Sequence, residues 1–140
     1  MPTNLPFNTV SLGTSQGGYV TATRQDPNWG MDIYDNRNNG KGGNWSVSAN
    51  LVSDKMTGNN GHTLTTPIIF KDANSTSSVL STKAPVTIFS NYSISSNSNY
   101  IRHVQFNDPN TGLLIRALTS EIYTNENYSG IINFTLNNVP

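Results

Sequence analysis

The sequence predicts an all-β protein, an antiparallel β-sandwich filling residues 1–140 as a single domain. Three observations predict it. Val, Ile, Thr, Tyr and Phe recur in short runs broken by Asn-Gly, Gly-Gly and Asp-Pro, the composition of strands and tight turns. Several runs alternate: Val20 and Ala22 oppose Tyr19, Thr21 and Thr23, and Trp45, Val47 and Ala49 oppose Ser46 and Ser48, as strands with one buried and one wet face do. No long stretch carries a capped helical period, and many short strands at regular spacing favour a sandwich over a parallel α/β sheet.

In chain order the expected strands are Phe7–Leu12, Tyr19–Arg24, Gly30–Asp35, Trp45–Val52, Leu64–Lys71, Pro85–Phe89, Tyr100–Phe106, Leu113–Leu118 and Tyr128–Leu136. Asn36–Asn44, with three glycines and four asparagines, reads as a loop. Asp54–His62 reads as a second loop and Asn91–Asn99 as an exposed edge or loop. Asn39-Gly40 and Asn60-Gly61 suit turns that need positive φ. A short helical turn is expected over Ala117–Glu121. Aromatic residues are spread over the whole length, so no internal boundary divides the chain.

Composition narrows the function. Lys+Arg and Asp+Glu number 8 each and charged residues make up 11%, so the basic patch expected of a nucleic-acid binder is lacking. The same balance argues against charge-driven binding to an anionic membrane, and no apolar run is long enough to span one. A surface rich in amides and hydroxyls suits neutral polymers such as glycans, and equally any secreted β-protein. Without cysteine there is no disulfide and no thiolate chemistry. The opening Met1-Pro2-Thr3 carries no basic and apolar leader; it reads as an engineered start on a mature domain or as the start of a cytoplasmic protein.

Catalytic constellations are not evident. His62 and His103 have no Glu or Cys at metal-ligand spacing. Gly-x-Ser-x-Gly and a phosphate-cradling glycine loop are lacking. Asp26, Asp32 and Asp35 lie close in sequence without defining the carboxylate pair that glycoside cleavage needs. Asp26, Asn28 and Asp32 do not have the spacing of a calcium loop. No cofactor is expected.

Two motifs carry a family resemblance. The first runs Ile33, Asp35, Arg37, Gly43, Trp45, Val47; the second runs Tyr128, Gly130, Ile132, Phe134, Leu136 and Pro140. In each, a large ring and an aliphatic residue sit two apart and share a strand face. Their order and spacing, with an opening strand over Leu5–Leu12, resemble the WxL domain family of Gram-positive cell-surface proteins. Asn38 stands where that family usually has glycine, the first motif reads Trp-Ser-Val, and Phe134 replaces the second tryptophan.

The resemblance implies a secreted, non-enzymatic, immunoglobulin-like module at the cell wall. It would bind peptidoglycan or an associated glycopolymer without a covalent link, with WxL-interacting-type surface proteins as partners. The alternative is an assembly module that pairs with a partner surface protein through exposed β-edges or loops; a small carbohydrate-active enzyme or phage-type receptor-binding domain is a more distant third. Trp29, Arg37 and Trp45 are the candidate ligand-binding residues. Trp45 and Phe134 are read first as core rings. Trp29, in an Asp-Pro-Asn turn without alternating partners, is read as the more exposed tryptophan and a stacking platform. Asp35 and Arg37 would form a bidentate pair that pins the glycine-rich loop, or leave Arg37 to meet a carboxylate of the wall.

Overall fold

The computed structural model describes residues 4–10, 17–34, 44–90, 101–106 and 108–139, with the backbone alone at 101–103, 138 and 139. Its strands are β1 (Tyr19–Ala22), β2 (Gly30–Tyr34), β3 (Asn44–Leu51), β4 (Lys55–Gly58), β5 (Thr63–Thr65) and β6 (Ile68–Lys71). They are followed by β7 (Ser77–Val79), β8 (Val86–Ser90), β9 (Ile101–Gln105), β10 (Gly112–Leu118), β11 (Tyr128–Ser129) and β12 (Ile132–Val139). The fold is all-β, and every strand pair is antiparallel. The strands form four ladders, in the orders β1-β10-β6-β7, β11-β4-β5, β12-β3-β8 and β2-β9.

Alternation holds where a strand has one covered face. In β1, Val20 and Ala22 are buried and Thr21 is exposed; in β2, Met31 and Ile33 are buried and Asp32 and Tyr34 are exposed. It fails in β3. Ser46 and Ser48, expected on a wet face, are only 7% and 8% exposed. This strand lies between β12 and β8, and Asn137 Nδ2 donates to Ser48 Oγ at 3.3 Å. The Ser48 hydroxyl is tolerated there because it finds a hydrogen-bond partner at little cost in volume.

Several expected boundaries shift. Asp54–His62 is not a loop throughout: Lys55–Gly58 is a strand, and a turn at Asn59–His62 leads into β5. Gly61 takes φ +90° in that turn, the left-handed region the Asn60-Gly61 pair was expected to supply. The run Leu64–Lys71 breaks at Thr66-Pro67, where Thr66 has φ 43° and Pro67 lacks an N–H. The break sends β5 to pair with β4 and β6 with β10 and β7. Tyr128–Leu136 breaks likewise at Gly130-Ile131. Strand β7 had no expectation at all. Of Phe7–Leu12, Phe7 makes a single antiparallel bridge to Arg24, and residues from 11 onward lie outside those described. The loop at 36–43 and the segment 91–99 also lie outside them. The helical turn forms as a 3₁₀ turn over Thr119–Glu121, while Ala117 and Leu118 stay in β10.

One buried cluster draws on most strands: Ala22, Met31 and Ile33, then Trp45, Val47, Ala49 and Leu51, then Ile68, Ile88, Leu113 and Ile115. Burial at about 25 cal/mol per Å² of apolar area makes such a cluster the main source of stability in a chain without disulfides.

Candidate functional site

Trp29 is not a surface platform. It is 6% exposed, and its ring packs against Phe106 (centroids 6.0 Å, 20° between planes) and Phe134 (5.4 Å, 33°). The turn that was read as exposing it turns it inward: Asn28 N–H donates to Asp26 Oδ1 at 2.9 Å and Trp29 N–H to Asp26 O at 3.2 Å. Phe106 N–H then donates to Trp29 O at 3.0 Å, continuing the β2–β9 ladder and setting the two rings together. Stacking on long-range partners, which sequence periodicity does not report, decides this residue.

Trp45 is 2% exposed beside Val47 (1%) and Ala49 (0%), a core position that agrees with its strand alternation. Neither tryptophan therefore offers a ring face to a ligand. Asp35 and Arg37 lie outside the described residues. In the second motif, Phe134 packs on Trp29 but Leu136 is 51% exposed. Ring and aliphatic thus part ways: the Trp29 ring packs on Phe134, while Leu136 stays half-exposed. The two motifs meet all the same: Val47 pairs with Leu136, and Trp45 with Asn138, across the β3–β12 ladder. Gly130 sits close to Met56, whose Cγ would lie 3.1 Å from an added Cβ. Tyr128 closes its own loop, its hydroxyl accepting Tyr123 N–H at 2.9 Å.

Six of the carboxylates serve the backbone. Asp26, Asp54, Asp72, Asp108, Glu121 and Glu126 each accept at least one main-chain N–H, from Asn28, Thr82, Asn74, Asn110, Thr65 and His62 in turn. Acceptors used this way fix loops. Among the described residues, no group of three or more His, Cys, Asp or Glu could hold a metal ion.

Two charged side chains missed by sequence reasoning organise the molecule. Arg24 is 1% exposed. Its Nη1 donates to Thr111 O (2.6 Å) and Leu113 O (2.9 Å), and its Nη2 to Pro27 O (3.0 Å) and Asp108 O (3.0 Å). The guanidinium also lies 4.8 Å from the centroid of Phe106. Burial pushes its pKa down, opposed by the charges of Asp26 and Asp108. A lone arginine at a strand end gives no sequence signal for a clamp that closes with residues 84 to 89 positions away.

Glu126 is the second. Its side chain is 1% exposed, covered by the β4–β5 turn itself. Oε2 accepts the N–H groups of Asn60 (3.3 Å) and His62 (3.1 Å), and Oε1 lies 2.5 Å from His62 Nδ1. Loss of solvent raises its pKa, but the hydrogen bonds from the His62 ring and backbone, the charge of His62 and the Asn60 N–H outweigh this and hold it below the ordinary glutamate value. Asn59 ties the same turn to the facing loop: its N–H donates to Asn127 O at 3.0 Å and its Oδ1 accepts Asn127 N–H at 2.9 Å.

On this braced turn the His62 ring stacks on Tyr123, with centroids 3.5 Å apart and 17° between planes. The His62 side chain is 40% exposed and Tyr123 is 53% exposed. The result is a partly exposed aromatic pair on the same turn that Glu126 and the Asn59–Asn127 contacts hold. Compared with known protein families, curated proteins and solved structures, the chain matches none.

Proposed function

We propose that this chain is a non-catalytic cell-surface module that binds peptidoglycan or an associated wall glycopolymer non-covalently. Its frame in this reading is an immunoglobulin-like sandwich of the WxL type, and WxL-interacting-type surface proteins are its partners. The exposed Tyr123–His62 ring pair carries the reading. A pyranose presents an apolar C–H face and a rim of hydroxyls. The exposed Tyr123 ring, backed by His62, would cover the first, and the amides of Asn59, Asn60 and Asn127 would answer the second. The brace from Glu126 and Asn59 holds the surface in place before binding, which lowers the entropy cost of ordering it. Two further observations support the reading. The strand ends of the two resembling motifs, Trp45 with Val47 and Phe134 with Leu136, lie side by side on β3 and β12, and the carboxylates named above serve loops.

Co-sedimentation with purified sacculi, before and after teichoic acids are stripped, tests it. Retention of the wild-type chain on stripped sacculi, lost in Tyr123→Ala, is the expected result. Failure of the wild-type chain to sediment with any wall fraction overturns the proposal.

A further inference from the structure

Among the described residues, β12 is an edge strand, with β3 on one side and no strand on the other. Leu51 N–H donates away from β12, to Ser81 O at 2.8 Å, whereas Val52 N–H donates to Ile131 O at 3.1 Å. The β3–β12 register is regular from Ile132↔Leu51 to Val139↔Asn44. In an antiparallel ladder hydrogen-bonded and non-hydrogen-bonded pairs alternate. Asn133, Thr135, Asn137 and Val139 therefore bond to β3, and the main-chain groups of Ile132, Phe134, Leu136 and Asn138 point outward.

Natural edges are usually guarded by charge, proline, a bulge or brevity. Among the described residues this one has none of these: β12 spans eight residues, Ile-Asn-Phe-Thr-Leu-Asn-Asn-Val, without a charge or a proline, and pairs with β3 without a register shift. Leu136 lies on the same face as Val47, yet it is 51% exposed where Val47 is 1%. Something laid along this edge would cover it.

We infer that β12 pairs antiparallel with β12 of a second copy, about a two-fold axis at Thr135. An uncharged strand meets its own copy without like-charge repulsion, which a charged edge could not do. Centring on Thr135 pairs Phe134 with Leu136 and Ile132 with Asn138, so every outward group over the strand finds a partner. The two-fold axis stands perpendicular to the sheet and keeps both core faces on one side. Each Leu136 then lies beside Phe134 of the other copy. The ladders join into one sheet, β8-β3-β12-β12-β3-β8, through an isologous contact that closes on itself.

The test is sedimentation velocity of the purified chain over a dilution series, with three variants. The wild-type chain forms a dimer that dissociates on dilution. Thr135→Lys, whose position is exposed, sets two like charges against each other at the axis and weakens the dimer at least tenfold, with circular dichroism unchanged. Thr135→Cys becomes covalently dimeric on air oxidation, because non-hydrogen-bonded antiparallel partners lie about 4.5 Å apart at Cα, within disulfide range. Asn133→Cys faces Asn137 and does not cross-link to itself. A wild-type chain that stays monomeric at millimolar concentration leaves the edge to a different partner and overturns the inference. So does a dimer that Thr135→Lys does not weaken, or one in which Thr135→Cys fails to cross-link. Wall binding through Tyr123 is read out separately, so either proposal stands if the other fails.

Discussion

Arg24 and Glu126 do the same job in opposite surroundings. Each is a charged side chain with about 1% exposure, and each gathers main-chain groups from distant segments. Arg24 holds four carbonyl oxygens and sits over Phe106 inside the aromatic cluster. Glu126 holds two N–H groups and an imidazole just beneath a surface turn. A guanidinium keeps its charge at every accessible pH, so the interior clamp is permanent. The Glu126 carboxylate, held below the ordinary glutamate value, loses its charge only in stronger acid than a free glutamate needs, so the surface brace is conditional at the acid extreme. The difference teaches that the core is locked while the ring platform is held by a releasable bond.

The largest expected effect breaks the interior clamp. Arg24→Ala leaves several buried acceptors without a donor, at about 1–3 kcal/mol each, and urea denaturation should report a loss of about 3 kcal/mol or more. Arg24→Lys should recover only part of this, because an ammonium lacks the planar fork. Next, Trp29→Ala should cost roughly 3 kcal/mol, at the low end for truncating a buried aromatic. Wild-type emission should be blue-shifted and resist acrylamide, as befits two buried indoles; a quenchable tryptophan at position 29 would restore the surface reading.

Smaller effects sharpen the other side of the comparison. A Cβ at Gly58 would collide with the Glu126 carboxylate, so Gly58→Ala should destabilise by about 1–2 kcal/mol through overpacking. Glu126→Gln should lower stability slightly at neutral pH and flatten its acid dependence. Because the folded carboxyl titrates below its unfolded value, its contribution is complete above about pH 4.5 and fades as pH falls through the lower folded value. Thermal melts between pH 3 and 7 would show the two proteins converging in acid. Smallest of all, Tyr123→Ala should change stability by no more than about 0.5 kcal/mol while abolishing retention on sacculi.

Local chemistry was legible and long-range chemistry was not. Alternation located β1 and β3 and placed Trp45 in the core, though it put Ser46 and Ser48 on a wet face. The Asn60-Gly61 turn was visible from its dipeptide. Strand β4 was hidden because Lys-Met-Thr-Gly is short and sits among glycine and asparagine, and its pairing with β5 and β11 supplies what its propensity does not. Trp29 was misread for the same reason: its neighbours Phe106 and Phe134 lie far along the chain. The ring platform could not be read at all, since it joins His62 to Tyr123 and Glu126 across the sequence.

Arg24 also bears on the order of folding. Three of its four carbonyl partners lie 84 to 89 residues downstream, so the first strand cannot settle until Asp108–Leu113 has been synthesised and brought back to it. Contacts of such separation slow folding, because the loop must close before the bond can form. A nascent chain stopped short of Asp108 would hold its guanidinium with most of its ligands missing. The residue that locks the finished molecule is thus among the last to be satisfied while it is being made.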